Sequence, residues 1–260
     1  MGEPARLRAD KLNVGFNRVP VLADLSFDIP DGQTTVIVGP NACGKSTLLR
    51  SLARLERVGT GQVILDGKSI HAQASKSVAK QLAILPQTPT APEGLRVRDL
   101  VLRGRTPHQS PLRQWSADDA QAIENALRLT GLIDHADRPL DTLSGGQRQR
   151  AWIAMALAQD TGILLLDEPT TYLDLTHQIE LLTLVQKLNA ETGRTVAMVL
   201  HDINLAARFA DQIVALKDGK VRYQGSPDDV ITAEIMQDIF GLNCTVIRSP
   251  IHDHPLVIPA

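Results

Sequence analysis

The run Thr34-Thr35-Val36-Ile37-Val38 stops at Gly39-Pro40-Asn41-Ala42-Cys43-Gly44-Lys45-Ser46-Thr47, and Leu48, Leu49, Leu52 and Leu55 follow at helical spacing. A short β-branched run bounded by a turn suits a strand buried on both faces. The leucines form one apolar stripe of a helix. Strand, glycine-rich loop and helix together are the context that a phosphate-binding loop requires. Gly39 and Gly44 let backbone N–H groups close on phosphate oxygens with no Cβ in the way. The helix start turns its positive dipole end to the same place. Lys45 is then set to reach the β- and γ-phosphates, and the Ser46 hydroxyl to coordinate Mg²⁺.

The rest of the chain repeats the logic of an apolar strand ending in a polar group. Ile163–Leu166 ends at Asp167-Glu168, Thr195–Leu200 ends at His201, and Leu82–Leu85 is followed by Pro86-Gln87. Helical stripes alternate with these strands: Gln178–Leu188, with Ile179, Leu182 and Val185 inward, then Asn204–Phe209 before the strand Ile213–Leu216. This alternation predicts an α/β fold with a mainly parallel sheet covered by helices. The strands Lys11–Val14 and Val21–Ile29 add an antiparallel part on the N-terminal side. Ligands of such sheets sit beyond the carboxyl ends of the strands, so Gly39, Gln87, Asp167 and His201 are expected on one edge. There Asp167 would hold Mg²⁺, directly or through water, and Glu168 would polarise an attacking water as general base. Gln87 can give an oxygen to the metal and a donor to water. His201 is placed for a γ-phosphate contact. Cys43 lies within the loop, where the helix start and Lys45 favour a reactive thiolate. Its plainer reading is a small residue that fits.

Length and composition set the remaining bounds. The 260 residues suit one large domain with a subdomain. From Thr88 to Pro111 the chain is rich in Pro, Gly and Arg, which marks the subdomain boundary. The expected division is a nucleotide-binding core over 1–87 and 161–240, a helical insertion over 88–160 and a C-terminal extension over 241–260. Within the insertion Ser116 and Asp119 read as a helix cap, with Ala120, Ile123 and Leu127 on the inner face. Farther on, Pro227–Phe240 reads as two short helices, and Thr245–Ile247 with Leu256–Ile258 as a hairpin. Net charge is −2, without the basic excess that nucleic-acid binding leaves. Two cysteines, Cys43 and Cys244, fit a reducing compartment. The start Met1-Gly2-Glu3-Pro4 has no apolar leader pattern, and no apolar run nears the ~20 residues of a spanning helix. Any membrane attachment is therefore expected through a partner. His108, His252 and His254 read as surface residues; His252-Asp253-His254 is at most a weak metal-ligand pattern.

Leu143-Ser144-Gly145-Gly146-Gln147, a second glycine-rich helix start, completes a pattern that resembles the ATP-binding cassette (ABC) ATPases. The motifs cover nearly the whole chain in family order. The resemblance implies a P-loop NTPase of ABC-ATPase type: a mixed, mainly parallel sheet, an antiparallel β subdomain and an inserted α-helical subdomain. It makes Leu143–Gln147 the signature motif, with Ser144, Gly145, Gly146 and Gln147 binding the γ-phosphate of ATP held by a second copy. Two chains would stack head to tail around two ATPs. By the same resemblance Gln87 is the Q-loop residue and His201 the switch histidine. Tyr172-Leu173-Asp174 is the loop that helps assemble the partner's site. Phe16 stands where an aromatic stacks on adenine; tyrosine is more usual there.

A narrower likeness is to the ATPases of ferric-siderophore importers. It rests on Gly39–Gly44, Gly104-Arg105-Thr106-Pro107-His108, Trp115-Ser116, Asp167–Leu175 with His177-Gln178, His201–Arg208 and Pro255–Pro259. It implies a homodimer at the cytoplasmic face of the cell membrane, bound to a transmembrane permease and served indirectly by an extracytoplasmic substrate-binding protein. Haem and cobalamin importers are near alternatives; a soluble ABC ATPase acting on DNA or ribosomes is a more distant one. Arg96, Arg98, Arg103 and Arg105, in the 88–115 segment, are expected either to pair with acidic permease residues or to form a solvated face.

Overall fold

The computed structural model describes residues 5–17, 19–110 and 116–260, so Trp115 lies outside the described residues. It divides into two compact units, residues 1–73 with 189–260 and residues 74–188. Elements are numbered along the whole chain.

In the first unit, β1 (Leu7–Phe16), β2 (Val19–Ile29), β4 (Thr60–Leu65) and β5 (Lys68–Ser69) form an antiparallel sheet in the order β2-β1-β4-β5. Its inward residues are Leu7, Ala9, Leu12 and Val14 on β1 and Leu25, Phe27 and Ile29 on β2; they alternate as a half-buried sheet requires except between Ala9 and Leu12, where a register shift adds one residue. The second layer is built on β3 (Thr34–Val38), which is buried throughout. It is flanked in parallel by β8 (Thr195–Val199) and β9 (Gln212–Lys217). The Asp218-Gly219 turn then returns the chain as β10 (Lys220–Gly225), antiparallel to β9. Helix α1 (Lys45–Leu52) buries Leu48, Leu49 and Leu52. Leu55 falls beyond its end and is exposed, so the stripe is one residue shorter than the leucine spacing predicts.

Short helices α7 (Ile203–Phe209), α8 (Pro227–Val230) and α9 (Ala233–Phe240) complete this unit, with the hairpin of β11 (Cys244–Arg248) and β12 (Pro255–Pro259). The hairpin is tied to α7 by one side chain. The amide of Asn204 accepts from Val257 N at 2.8 Å and donates to Val257 O at 3.1 Å, as a neighbouring strand would.

The second unit holds the expected helical segment together with two strands. These are β6 (Leu82–Leu85) and β7 (Ile163–Leu166), parallel and in register from Leu82↔Ile163 to Leu85↔Leu166. Its helices are α2 (Ser75–Ala79), α3 (Val97–Arg103), α4 (Ala117–Leu129), α5 (Gly145–Ala158) and, as far as Leu188, α6 (Leu175–Thr192). Ser116 and Asp119 close the capping box that the sequence predicts for α4. The buried stripe of α4 is Asp119, Ile123, Ala126 and Leu127; Ala120 is exposed. Ile123 and Leu127 are inward as the sequence predicts, while Asp119 takes the place expected of Ala120 and Ala126 joins the stripe. Helix α6 begins three residues earlier than expected, and its buried residues are Leu181, Leu182, Val185 and Leu188, with Ile179 half-buried. Among the described residues no helix is long and apolar enough to cross a membrane.

Candidate nucleotide site

Each unit gathers polar residues at the carboxyl ends of parallel strands. In the first, the register Thr34↔Val196 to Ile37↔Val199 brings Gly39 and His201 out at the same edge. Leu200 N donates to Ile37 O at 3.3 Å and carries the pairing to the residue before the exposed His201. Gly39 has φ +150°, and a Cβ there would lie 2.2 Å from the Leu216 carbonyl oxygen, so only glycine fits this exit from β3. Gly44 caps α1, so that the first turn of the helix opens directly from the loop. Asn41 and Ala42 are exposed, Pro40, Ser46 and Thr47 half-buried. The Lys45 ammonium is buried and donates to the carbonyls of Gly39 (2.9 Å) and Pro40 (2.8 Å), holding the positive charge inside the turn.

Cys43 is buried and its Sγ would lie 2.9 Å from a Cβ on Gly39. Burial pushes its thiol up and outweighs the opposing pull of Lys45. Cys43 is thus a small side chain buried against Gly39 under the loop. Phe16 lies at the end of β1 and is 45% exposed, which excludes a core role.

In the second unit, Asp167 N donates to Leu85 O at 2.9 Å, so β6 and β7 finish level with Asp167-Glu168 and Gln87 just beyond. Asp167 is 1% and Glu168 8% exposed. Glu168 takes φ +49°, unusual for a residue with a side chain. Its Oε2 accepts from Gln87 Nε2 at 2.5 Å and from Thr171 Oγ1 at 3.1 Å. The strained backbone is thus matched by two donors that fix the carboxylate. The Gln87 amide spends its N–H on Glu168, which directs its oxygen end away from that carboxylate.

The second glycine-rich run has its own architecture. Leu143 is buried, and exposed Ser144 caps α5. The Ser144 hydroxyl accepts from Gln147 N at 3.2 Å, and Gln147 Oε1 accepts from Ser144 N at 3.1 Å. The other end of the Gln147 amide donates to His135 Nε2 at 3.0 Å, which requires the hydrogen of His135 on Nδ1. Gly145 is exposed and Gly146 buried. A helix start this open, with a positive dipole end and a hydroxyl at its tip, is suited to an anion.

The opposite end of α5 explains the Gly104–His108 run. Arg105 NH1 donates to Ala158 O at 2.8 Å, and His108 Nε2 meets Gln159 O at 2.8 Å, so two side chains cap the last carbonyls of α5. Arg105 is 5% exposed and bonds Asp119 Oδ1 through Nε at 2.7 Å. It is a buried structural residue, not one of a row of surface arginines, and His108 is half-buried. Arg96 and Arg98 are exposed; Arg98 pairs with Asp137 at 2.9 Å. His252 and His254 stack with ring centres 6.2 Å apart, and no group of three metal-ligating side chains occurs among the described residues.

Two residues that the motifs did not single out enter the site. Thr171 holds Glu168, and His135 holds Gln147. Thr171 lies in the strand-end run and could have been read as a hydroxyl one turn beyond a carboxylate. His135 carries no local signal at all.

A phosphate loop opening one helix, with strand ends that carry a paired amide and carboxylate, defines a P-loop nucleoside triphosphatase. The profile of the family described as ABC transporter matches residues 22–171. The chain is 53% identical over 253 residues to the probable siderophore transport system ATP-binding protein YusV of Bacillus subtilis, covering 97% of this chain and 92% of that protein. It is 51% identical over 255 residues to the ferric enterobactin transport ATP-binding protein FepC of Escherichia coli, covering 98% and 94%. It also superposes on a chain of the dimeric structure of MJ0796, a bacterial ABC transporter cassette, with a TM-score of 0.74 and 28% identity, covering 85% of this chain and 98% of that one. The protein belongs to the ABC transporter family, as an ATP-binding cassette of that fold.

Proposed function

We propose that this chain is the ATP-hydrolysing subunit that powers import of an iron–siderophore complex through a partner membrane permease. The observation that carries the cargo class is the 53% and 51% identity, over almost the full length, to two proteins named for siderophore and ferric enterobactin transport. The chemistry follows from the site. Phe16 stacks on adenine, and the loop Gly39–Thr47 wraps the phosphates, with Lys45 turning from its carbonyl contacts to the β- and γ-oxygens. Glu168, oriented by Gln87 and Thr171, draws the proton of the attacking water. His201 steadies the γ-phosphate.

Ser46, Gln87 and Asp167 offer three oxygen donors of the kind Mg²⁺ takes. Asp167 is 1% exposed at the end of β7, and a carboxylate so buried is costly unless it is paired or meets a cation. When bound, Mg²⁺ neutralises charge that builds on the phosphates.

Ser144, Gly145, Gly146 and Gln147 act on the ATP of a second copy, with Asp174 helping to shape that site. The dimer forms head to tail when ATP binds. The helical subdomain over 88–160 faces the permease at the cytoplasmic side of the membrane, and an extracytoplasmic binding protein delivers the cargo. The test is uptake of iron–siderophore by cells with and without this chain, with no second ATPase able to replace it. Loss of uptake is expected. Unchanged uptake rejects the cargo class, and absence of Mg-ATP hydrolysis by the purified chain with its permease rejects the ATPase reading.

A further inference from the structure

Asp174 stands immediately before α6, and its Oδ1 accepts twice from one residue: from the backbone N–H of His177 at 2.9 Å and from the ring Nδ1 of His177 at 2.7 Å. A helix-capping aspartate needs only the first of these bonds. The second fixes the ring. An ionised carboxylate can only accept, so the hydrogen sits on Nδ1. The other side of the ring lies against α5. A Cβ built on Gly146 would meet His177 Cδ2 at 2.4 Å and Cγ at 3.0 Å, so the ring fills the space left by that glycine. One turn farther along, Arg150 and Glu180 approach to 4.0 Å across the same pair of helices. His177 thus holds the loop of Asp174 with one edge and the start of α5 with the other.

We infer that His177 is a positioning residue that locks the Asp174 loop to the Ser144–Gln147 helix start, so that both reach the ATP of a second copy as one piece. The inference rests on the proposed reading in which both segments act in trans. His177 touches no reacting atom. Its effect falls on closure of the dimer and on turnover, and leaves each chain's own grip on nucleotide intact.

The experiment compares His177→Ala with His177→Asn in the full-length chain. The asparagine Nδ2 can stand close to the imidazole Nδ1 position and donate to Asp174. With His177→Ala, kcat is expected to fall about tenfold or more, because small misplacements of a binding group cost large factors. The nucleotide Kd of the monomer should stay within about twofold, the sign of an interaction made only in the closed state. His177→Asn should recover most of the lost turnover. In a Glu168→Gln background, ATP-driven dimers should be lost with Ala and kept with Asn. Turnover by His177→Ala equal to that of the parent, or equal loss with Ala and Asn, overturns the inference. If Ser144→Arg also leaves hydrolysis intact, the trans reading itself fails; if Ser144→Arg abolishes it, only the role of His177 does.

Discussion

Gln87 and Glu168, 81 positions apart in the chain, are joined by a 2.5 Å hydrogen bond from the amide Nε2 to the carboxylate Oε2. The residue two positions past the end of β6 therefore sets the direction of the carboxylate at the end of β7. A shift of the segment after Gln87 is felt at Glu168 without passing through the nucleotide. This is a direct mechanical route from the helical segment to the group proposed as base.

Replacing Glu168 by Gln keeps the shape and an acceptor oxygen for Gln87 but removes the base. Mg-ATP turnover is expected to fall by about 10²–10⁴-fold, the usual worth of a positioned general base. ATP binding should persist, and dimers should accumulate with ATP. Phosphate release and sedimentation measure the two effects. Turnover close to that of the parent removes Glu168 from the role.

Ser144→Arg places a long cation at the tip of α5 and breaks the capping box with Gln147. Hydrolysis should be lost while the isolated chain still binds ATP, read by fluorescence titration with a labelled nucleotide. Loss of binding by the monomer shows that the run serves its own chain's nucleotide instead. A mixed dimer with one Ser144→Arg chain and one Glu168→Gln chain adds a second check, since in a trans arrangement both lesions fall on the same site.

Arg105 and Asp119 form a buried ion pair between the start of α4 and the end of α5. Arg105→Ala leaves Asp119 buried without its main partner and should cost about 3–5 kcal/mol in urea unfolding. Burial alone would raise the Asp119 carboxyl, but the bonds from Arg105 and Ser116 outweigh it and hold it below the ordinary carboxylate range. A group depressed in the folded state stabilises the protein above its unfolded pKa, and that contribution fades as pH falls through the folded value. Asp119→Asn should therefore flatten the acid limb of the stability–pH curve below about pH 4. An unchanged acid limb shows that other carboxylates set it.

The two thiols should separate in their reaction with an alkylating reagent at neutral pH. Cys244, half-exposed at the start of β11, should be modified first. Cys43, buried and held in its thiol form, should lag well behind. Peptide mass spectrometry over a time course reads both rates. Cys43 reacting first implies that the loop opens far more often than its packing suggests.

The strand ends were the legible part of the chain. Where an apolar run such as Ile163–Leu166 stops at a carboxylate, the sequence itself marks the edge, and parallel pairing does the rest. Capping pairs were legible too, because Ser116 and Asp119 lie three residues apart. Residues whose meaning comes from a distant neighbour were not. Arg105 reads as one more arginine in a basic stretch until Asp119 and the end of α5 close over it. His135 becomes an anchor only because Gln147 comes to it. Ala120 and Ala126 suit a helix equally well, and the burial of a charged pair decided between them. Periodicity reports which face is apolar; it does not report which polar residue the core will accept.

The first turn of α5 is open, but farther along Ala151, Ile153, Ala154 and Ala158 are fully enclosed and its last carbonyls are taken by Arg105 and His108. Such a helix has no freedom to roll about its own axis or to slide lengthwise without tearing the core. Its exposed tip therefore works as a fixed gauge. On the proposed reading in trans, the start of α5 would register a phosphate only when the whole unit arrives at one distance and one bearing, so that recognition of a second molecule's nucleotide would be an all-or-none reading of alignment.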